Sequence, residues 1–164
     1  MVIKMGKKRT AVLLMTALLV FTALFVGCSE RESGQEEIDL SAAAQSALSE
    51  AGFSEELVAL DENTILRRYP TLDLTKVESY EVYVSGSMGT AEELGLFKAK
   101  SSGDLKDIRA AVDRRIEDLK LNFEDYRPDE MPKIEDAVIV EKGSYLLFAI
   151  VPESTAVREL FEGL

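Results

Sequence analysis

The segment that most constrains the fold is a run of six apolar residues near the C-terminus. Residues 146–151 read Leu-Leu-Phe-Ala-Ile-Val and follow a turn signal at Lys142-Gly143. A strand that is apolar at every position needs cover on both faces, whereas an alternating strand needs it on one. We therefore predict a hairpin of Ala137–Glu141 and Tyr145–Val151. Its return strand should be central in a sheet and covered on each side by helices, other protein or a partner.

An earlier hairpin is predicted from a period of two in residues 79–84. The residues on the core face of its first strand are Tyr80, Val82 and Val84. Ser85–Thr90 is the turn, and Glu93–Lys100 is the returning strand. The returning strand places Leu94 and Leu96 on one face and Phe97 and Ala99 on the other. Gly95 weakens the strand pattern, because glycine offers no side chain to pack.

Helical spacing of apolar residues predicts four helices. The clearest runs from about Asp104 to Phe123, and a small-faced helix begins after Asp39 and ends at Gly52. A short helix from Asp61 or Asn63 to Arg68 must stop before Pro70. A terminal helix opens at Pro152. The apolar stripe of the clearest helix consists of Leu105, Ile108, Val112, Ile116, Leu119 and Phe123.

The order of these elements predicts the fold class. After short N-terminal helices the chain reads strand, strand, helix, strand, strand, helix, which indicates an α+β fold with a four-stranded antiparallel sheet. Residues 38–164 are predicted to form one domain. The 137 residues left after removal of residues 1–27 (164 − 27) are close to the common size of a single domain.

Residues 1–27 have the three parts of a secretion signal peptide. Four basic residues come first, followed by the uncharged stretch Ala11–Val26 and the small residue Gly27. The basic residues are Lys4, Lys7, Lys8 and Arg9. A helix of these 16 apolar residues spans about 24 Å, less than the hydrocarbon core of about 30 Å. We therefore predict cleavage between Gly27 and Cys28 rather than a permanent membrane helix.

The residues Leu24–Cys28 resemble the lipobox of bacterial lipoproteins, in which the cysteine thiol accepts a diacylglyceryl group. Gly27 and Cys28 fit that motif, whereas Phe25 and Val26 depart from its usual leucine and its usual alanine or serine. The resemblance implies lipidation at Cys28 and a protein anchored at the extracytoplasmic face of the cell membrane. Residues 28–37 carry little that is apolar and are predicted to be a flexible tether with a reach of roughly 17 Å.

Charge narrows the range of partners. Removal of the signal peptide takes away four of the 19 basic residues and none of the 30 acidic ones, so the mature formal charge is 15 − 30 = −15. A surface of this sign repels nucleic acid and anionic polymers, and favours solubility or contacts with cations and basic protein patches. With Cys28 lipidated, no disulfide is possible, because it is the single cysteine.

The inventory of reactive side chains predicts a protein that is not an enzyme and has no cofactor. The chain has no histidine, tryptophan or free thiol. Ser85-Gly86-Ser87-Met88-Gly89 resembles a nucleophile elbow, but a serine occupies its first position and no histidine exists to activate Ser87. Pairs of carboxylates remain open as a basis for glycoside chemistry, although spacing alone selects none among 30 acids.

Acidic loops and one ion pair are the remaining candidate sites. Asp61-Glu62-Asn63 and Asp125–Glu130 offer oxygen ligands for calcium, but neither has the EF-hand spacing, and solvated loops are the preferred interpretation. Glu93 is predicted to pair with Arg114 or Arg115 of the long helix. Tyr126 is predicted to fix its loop rather than to bind a ligand.

Four segments, Glu92–Lys100, Arg114-Arg115, Phe123–Pro128 and Gly143–Tyr145, resemble a family of lipoproteins from low-GC Gram-positive bacteria that is described as a domain of unknown function. The resemblance covers roughly Leu57–Val151. It implies attachment to the outer leaflet of a single cytoplasmic membrane and assigns no catalytic or binding residues. It also implies a link to envelope polymer modification, through relatives encoded near membrane O-acyltransferases.

We therefore expect a membrane-anchored extracytoplasmic module that binds or assists another cell-envelope protein. The anchor, the short tether and the lack of catalytic residue types motivate this hypothesis. The alternative is a receptor domain for a small molecule or a cation, and less favoured is a carboxylate-based enzyme. A deep pocket with converging acids distinguishes the alternative.

Overall fold

A computed structural model of the protein describes residues 37–87 and 89–164. The predicted signal peptide, its cleavage site, Cys28 and all but the last residue of the predicted tether lie outside these residues. The α-helices are α1 (Leu40–Glu50), α2 (Glu62–Arg68), α3 (Leu105–Phe123), α4 (Met131–Glu135) and α5 (Ser154–Gly163). The strands are β1 (Leu57–Ala59), β2 (Val77–Ser85), β3 (Glu93–Ala99), β4 (Val138–Lys142) and β5 (Tyr145–Ile150).

The strands form one antiparallel sheet in the order β1-β2-β3-β5-β4. The predicted α+β class and both predicted hairpins are confirmed, but the predicted count of four strands is wrong. The fifth strand, β1, has three residues and pairs with β2 through Leu57 opposite Ser85. Three residues are too few to show a period of two, so this strand is recognised only from its pairing with β2.

The apolar strand β5 is buried along its whole length, as predicted. It is an interior strand but not the central one, because β1 adds to the far side of the sheet and leaves β3 in the middle. Two apolar cores cover the two faces of the sheet. One core contains Phe97 and Ala99 with α2, α3 and α4, and the other contains Leu94 and Leu96 with α1 and α5. The predicted assignment of the two faces of β3 is confirmed.

Local interactions fix the ends of the helices. The carboxylate of Asp39 accepts from the Ala42 backbone N–H at the start of α1, and Asp61 caps α2 in the same way through Thr64. Gly52 follows α1 with a φ of 71°, a backbone conformation that residues with a Cβ atom rarely adopt.

The strand bounds differ from the prediction by one or two residues, and the terminal helix and the loops differ as well. The terminal helix α5 begins at Ser154 rather than at Pro152. The predicted loop 124–132 contains a 3₁₀ turn, Pro128–Glu130, and the start of α4. A further 3₁₀ turn, Leu74–Lys76, precedes β2. Within the residues that the structure describes, no helix has the length and apolarity required to cross a membrane.

Candidate functional site

A cavity of about 380 Å³ lies where β2 ends and β3 begins, against the C-terminal half of α3. Its volume falls in the range of small-molecule sites, roughly 300–1,000 Å³. The cavity is lined by Arg68, Val84, Ser85, Ser87, Thr90, Ala91, Glu92, Glu93, Arg115, Leu119, Asn122, Phe123 and Tyr126. The floor is therefore built from the sheet and the wall from the long helix.

A buried ion pair between Glu93 and Arg115 forms one part of this floor. Arg115 donates from Nη2 to Glu93 Oε2 at 2.7 Å and from Nε to both carboxylate oxygens at 3.0 and 3.2 Å. The Tyr69 hydroxyl donates to Glu93 Oε1 at 2.5 Å. The side chains of Arg115 and Glu93 are 8% and 2% exposed. The predicted pairing of Glu93 with α3 is thus found at Arg115, while Arg114 pairs with Asp118 on the surface.

The sequence explains why these groups meet. Glu93 is four residues before Phe97 on β3, so both side chains point to the face covered by α3. Arg115 lies next to Ile116 within the buried stripe of α3. An arginine buried beside an apolar stripe needs a partner of opposite charge, so the burial of Arg115 depends on the carboxylate of Glu93.

Burial changes the titration of the residues around this ion pair. Burial, followed by the charge of Glu93, raises the pKa of Tyr69 well above its usual 10.0. Burial opposes the charge of Arg115, but the charge and hydrogen bonds of Glu93 outweigh it and raise the pKa of Arg115. Tyr69 therefore stays a neutral donor and Arg115 stays a cation at physiological pH.

A second network connects the neighbouring carboxylate, Glu92, to α4. Glu92 accepts from the backbone N–H of Ser54 at 2.7 Å, from the Ser54 hydroxyl, and from Lys133 Nζ at 2.9 Å. Lys133 also donates to Glu130 Oε1 at 3.0 Å, and Glu130 Oε2 accepts from the Thr90 hydroxyl at 2.7 Å. The Glu92 side chain is fully buried. This network fixes the loop that leads into β3 against α4.

The serines of the predicted turn also have partners within the fold. The hydroxyls of Ser85 and Ser87 both donate to Glu55 Oε1, from Ser87 at 2.8 Å. Hydrogen bonds from Ser85 and then Ser87 lower the pKa of Glu55. Ser87 Oγ in turn accepts from the Gly89 backbone N–H at 3.0 Å. Ser87 therefore acts as a turn residue that anchors the mouth of the cavity.

Aromatic side chains form the outer wall. The rings of Phe123 and Tyr126 meet edge to face with centroids 6.4 Å apart. Phe123 is buried, but Tyr126 is 64% exposed at the rim of the cavity. The ring of Tyr126 thus contacts Phe123 at the end of α3, and its exposed part lies at the cavity rim. That Tyr126 fixes its loop rather than binding a ligand stays a prediction.

The two predicted acidic loops have structural roles. Asp61 caps α2, and Asp129 pairs with Arg127 at 2.8 Å. Glu130 points inward to Lys133. In the ranges 37–87 and 89–164, no group of three or more histidine, cysteine, aspartate or glutamate side chains has an arrangement that could hold a metal ion.

Fold and cavity together describe a small α+β domain with a ligand-sized cavity on one face of its sheet. The chain belongs to the family described as Domain of unknown function (DUF4358), whose model matches residues 50–151. No curated protein and no solved structure matches the chain. Five of the residues on which the sequence resemblance rests line the cavity, whereas Gly143–Tyr145 do not. Those that line it are Glu92, Glu93, Arg115, Phe123 and Tyr126.

Sequence reasoning missed the cavity itself. Arg68, Thr90 and Asn122 come from three separate segments and share no spacing that would connect them. The adjacent acids Glu92 and Glu93 were the sequence feature that could have indicated this site. At the start of a strand that is apolar on both faces, adjacent carboxylates point in opposite directions and both become buried.

Proposed function

We propose that the protein is a lipoprotein held at the extracytoplasmic face of the cell membrane by diacylglyceryl Cys28, and that its folded domain is a non-enzymatic binding module. The cavity supports a binding role, because it combines fixed polar groups with apolar and aromatic walls. The signal-peptide pattern and the lipobox resemblance support the anchor.

The state of the polar side chains supports binding rather than catalysis. A general base needs a carboxylate oxygen or nitrogen free to take a proton from a substrate. In the cavity, Glu93 is held by Arg115 and Tyr69, and the hydroxyl of Ser87 is directed to Glu55. These bonds order the site, and the lowered pKa of Glu55 makes its carboxylate a weak base toward Ser87.

A small molecule is the occupant that the cavity favours, because its volume and its enclosure by α3 suit a ligand of that size. Another cell-envelope protein is the second candidate, with a role in envelope polymer modification. It is supported by the exposed apolar side chains Leu121 and Tyr126, 68% and 64% exposed near the end of α3, and by the short tether.

Site-specific photocrosslinking in intact cells tests the binding role. Benzoylphenylalanine replaces Tyr126 at the cavity rim, and in the matched control it replaces Leu121, which is equally exposed but does not line the cavity. We expect an adduct at position 126 and much less at position 121. A small mass increase identifies a small molecule, and a large one identifies a protein partner. Absent crosslinking at both positions contradicts the binding role. Equal crosslinking at both positions contradicts binding at the cavity, and with a large mass increase it supports the second candidate, a protein partner that contacts Leu121 and Tyr126.

Fatty-acid labelling tests the anchor. Cys28→Ala should abolish incorporation of labelled fatty acid and shift the protein from membranes to the medium or to an unprocessed form, because the thiol is the acceptor of the lipid. Labelling that persists in the Cys28→Ala variant contradicts lipidation at this residue.

A further inference from the structure

In the cavity, the carboxylate acceptors and the hydroxyl donors already have hydrogen-bond partners, whereas several nitrogen donors have none within the described ranges. The carboxylates of Glu92 and Glu93 accept from partners on both oxygens. The hydroxyl hydrogens of Ser85, Ser87 and Thr90 are directed to other carboxylates. A ligand therefore finds few free acceptors on the floor of this cavity.

Three donor groups that line the cavity have no hydrogen-bond partner among the described residues: Arg115 Nη1, the guanidinium of Arg68 and the amide of Asn122. The Arg115 side chain is only 8% exposed. No fully buried side-chain nitrogen or oxygen in the described part of the chain lacks a partner, so Nη1 keeps some exposed surface, and Arg115 lines the cavity. Two planar guanidinium groups thus offer donors to the same space.

The ion pairs of the charged side chains that line the cavity leave one of them, Arg68, without a partner in the part of the chain that the structure describes. Lys133 pairs with Glu92 at 2.9 Å, and Arg115 pairs with Glu93 at 2.7 Å. Arg68 forms no ion pair within residues 37–87 and 89–164. The carboxylates of Glu55 and Glu130 lie behind the lining hydroxyls of Ser87 and Thr90, so the site as a whole is not positive. Arg68 is the lining cation that is left to pair with a carboxylate of a ligand. A distant acidic surface affects this site little, since charges are screened over about 8 Å at physiological ionic strength.

The remaining walls define the rest of the ligand. Leu119, Phe123 and Tyr126 present apolar and aromatic surface beside the arginines. We propose that the cavity binds a small molecule with one carboxylate attached to an apolar or aromatic body, the carboxylate being held by Arg68 and Arg115. A guanidinium group matches a carboxylate in shape and donates two hydrogen bonds to it. This inference rests on the proposed binding function and specifies its ligand class.

Saturation-transfer NMR on the full-length lipidated protein in detergent tests the inference. The two probes are N-acetylphenylalanine and its neutral amide, N-acetylphenylalaninamide, which share the aromatic body and differ in the carboxylate. We expect the acid to bind about tenfold more tightly or better, since hydrogen bonds to charged groups are the stronger ones. In Arg68→Gln this preference should fall to about twofold or less.

Arg67→Gln is the matched control, because Arg67 is exposed, bonds to Thr64 and does not line the cavity. It should leave the preference for the acid unchanged. Equal binding of both probes, or a preference that survives Arg68→Gln, overturns the inference while leaving a cavity that binds ligands. Failure of both probes to bind also overturns it, and crosslinking at Tyr126 then decides whether the proposed function survives.

Discussion

Replacing Arg115 by methionine leaves the Glu93 carboxylate buried without its cation. The pair is almost fully buried, with side chains 8% and 2% exposed, and Arg115 donates three hydrogen bonds to Glu93. Removal of one partner of a buried ion pair destabilises a protein by about 3–5 kcal/mol. Because Tyr69 still donates to the carboxylate, we expect Arg115→Met to lower the free energy of unfolding by about 3 kcal/mol.

Urea denaturation followed by far-UV circular dichroism measures this change. Arg114→Met is the matched control, since Arg114 is 55% exposed and pairs with Asp118 one turn away. Such exposed pairs contribute about 0.5 kcal/mol or less. A second control is the triple variant Tyr69→Phe/Glu93→Leu/Arg115→Met, which removes both charges and the hydroxyl that donates to Glu93, and should be within about 1 kcal/mol of the wild type. If Arg115→Met is no more harmful than Arg114→Met, the reasoning about the buried pair is refuted.

Two further predictions concern Glu130 and Gly95. Burial opposes the charge of Glu130, but hydrogen bonds led by that from Thr90 outweigh it and lower the pKa of Glu130 below its usual 4.5. Its stabilising effect is therefore complete above about pH 4.5 and is lost as the pH falls through the lowered pKa. Glu130→Gln should reduce the loss of unfolding free energy between pH 6 and pH 3, measured by urea denaturation at each pH; a pH profile equal to that of the wild type contradicts this. A Cβ atom at Gly95 would lie 3.0 Å from the ring of Phe97 and 3.3 Å from the ring of Phe148. Gly95→Ala should thus lower unfolding free energy by about 1–3 kcal/mol, measured by urea denaturation, and an unchanged value contradicts it.

The predictions from sequence were most successful where a long segment had a strong period. Helix α3 extends over Leu105–Phe123, within one residue of the predicted range, because its apolar stripe repeats over five turns. The first hairpin was found from its period of two, and the second from its apolar run and the turn at Lys142-Gly143. Strand β1 and helix α4 were missed, since three and five residues carry too little periodicity to be detected.

The candidate site was much less predictable. Glu93 and its helix partner were identified from their positions, but the choice between Arg114 and Arg115 depends on the rotation of α3 relative to the sheet. Tyr126 was assigned to its loop, and its place at the cavity rim became visible only with the fold. Contacts between distant segments have no local pattern, so spacing alone selects none of them.

The amino-acid sequence by itself determined the element order, the need to cover the apolar strand β5 on both faces, and the net acidity, because these follow from local periodicity and composition. The tertiary structure decided which charges are paired and which remain available. Arg115 becomes a buried partner of Glu93, and Arg68 faces the same cavity, because packing of α3 on the sheet brings together residues far apart in the chain. Burial makes this pairing necessary, because a charge removed from water without a partner costs free energy.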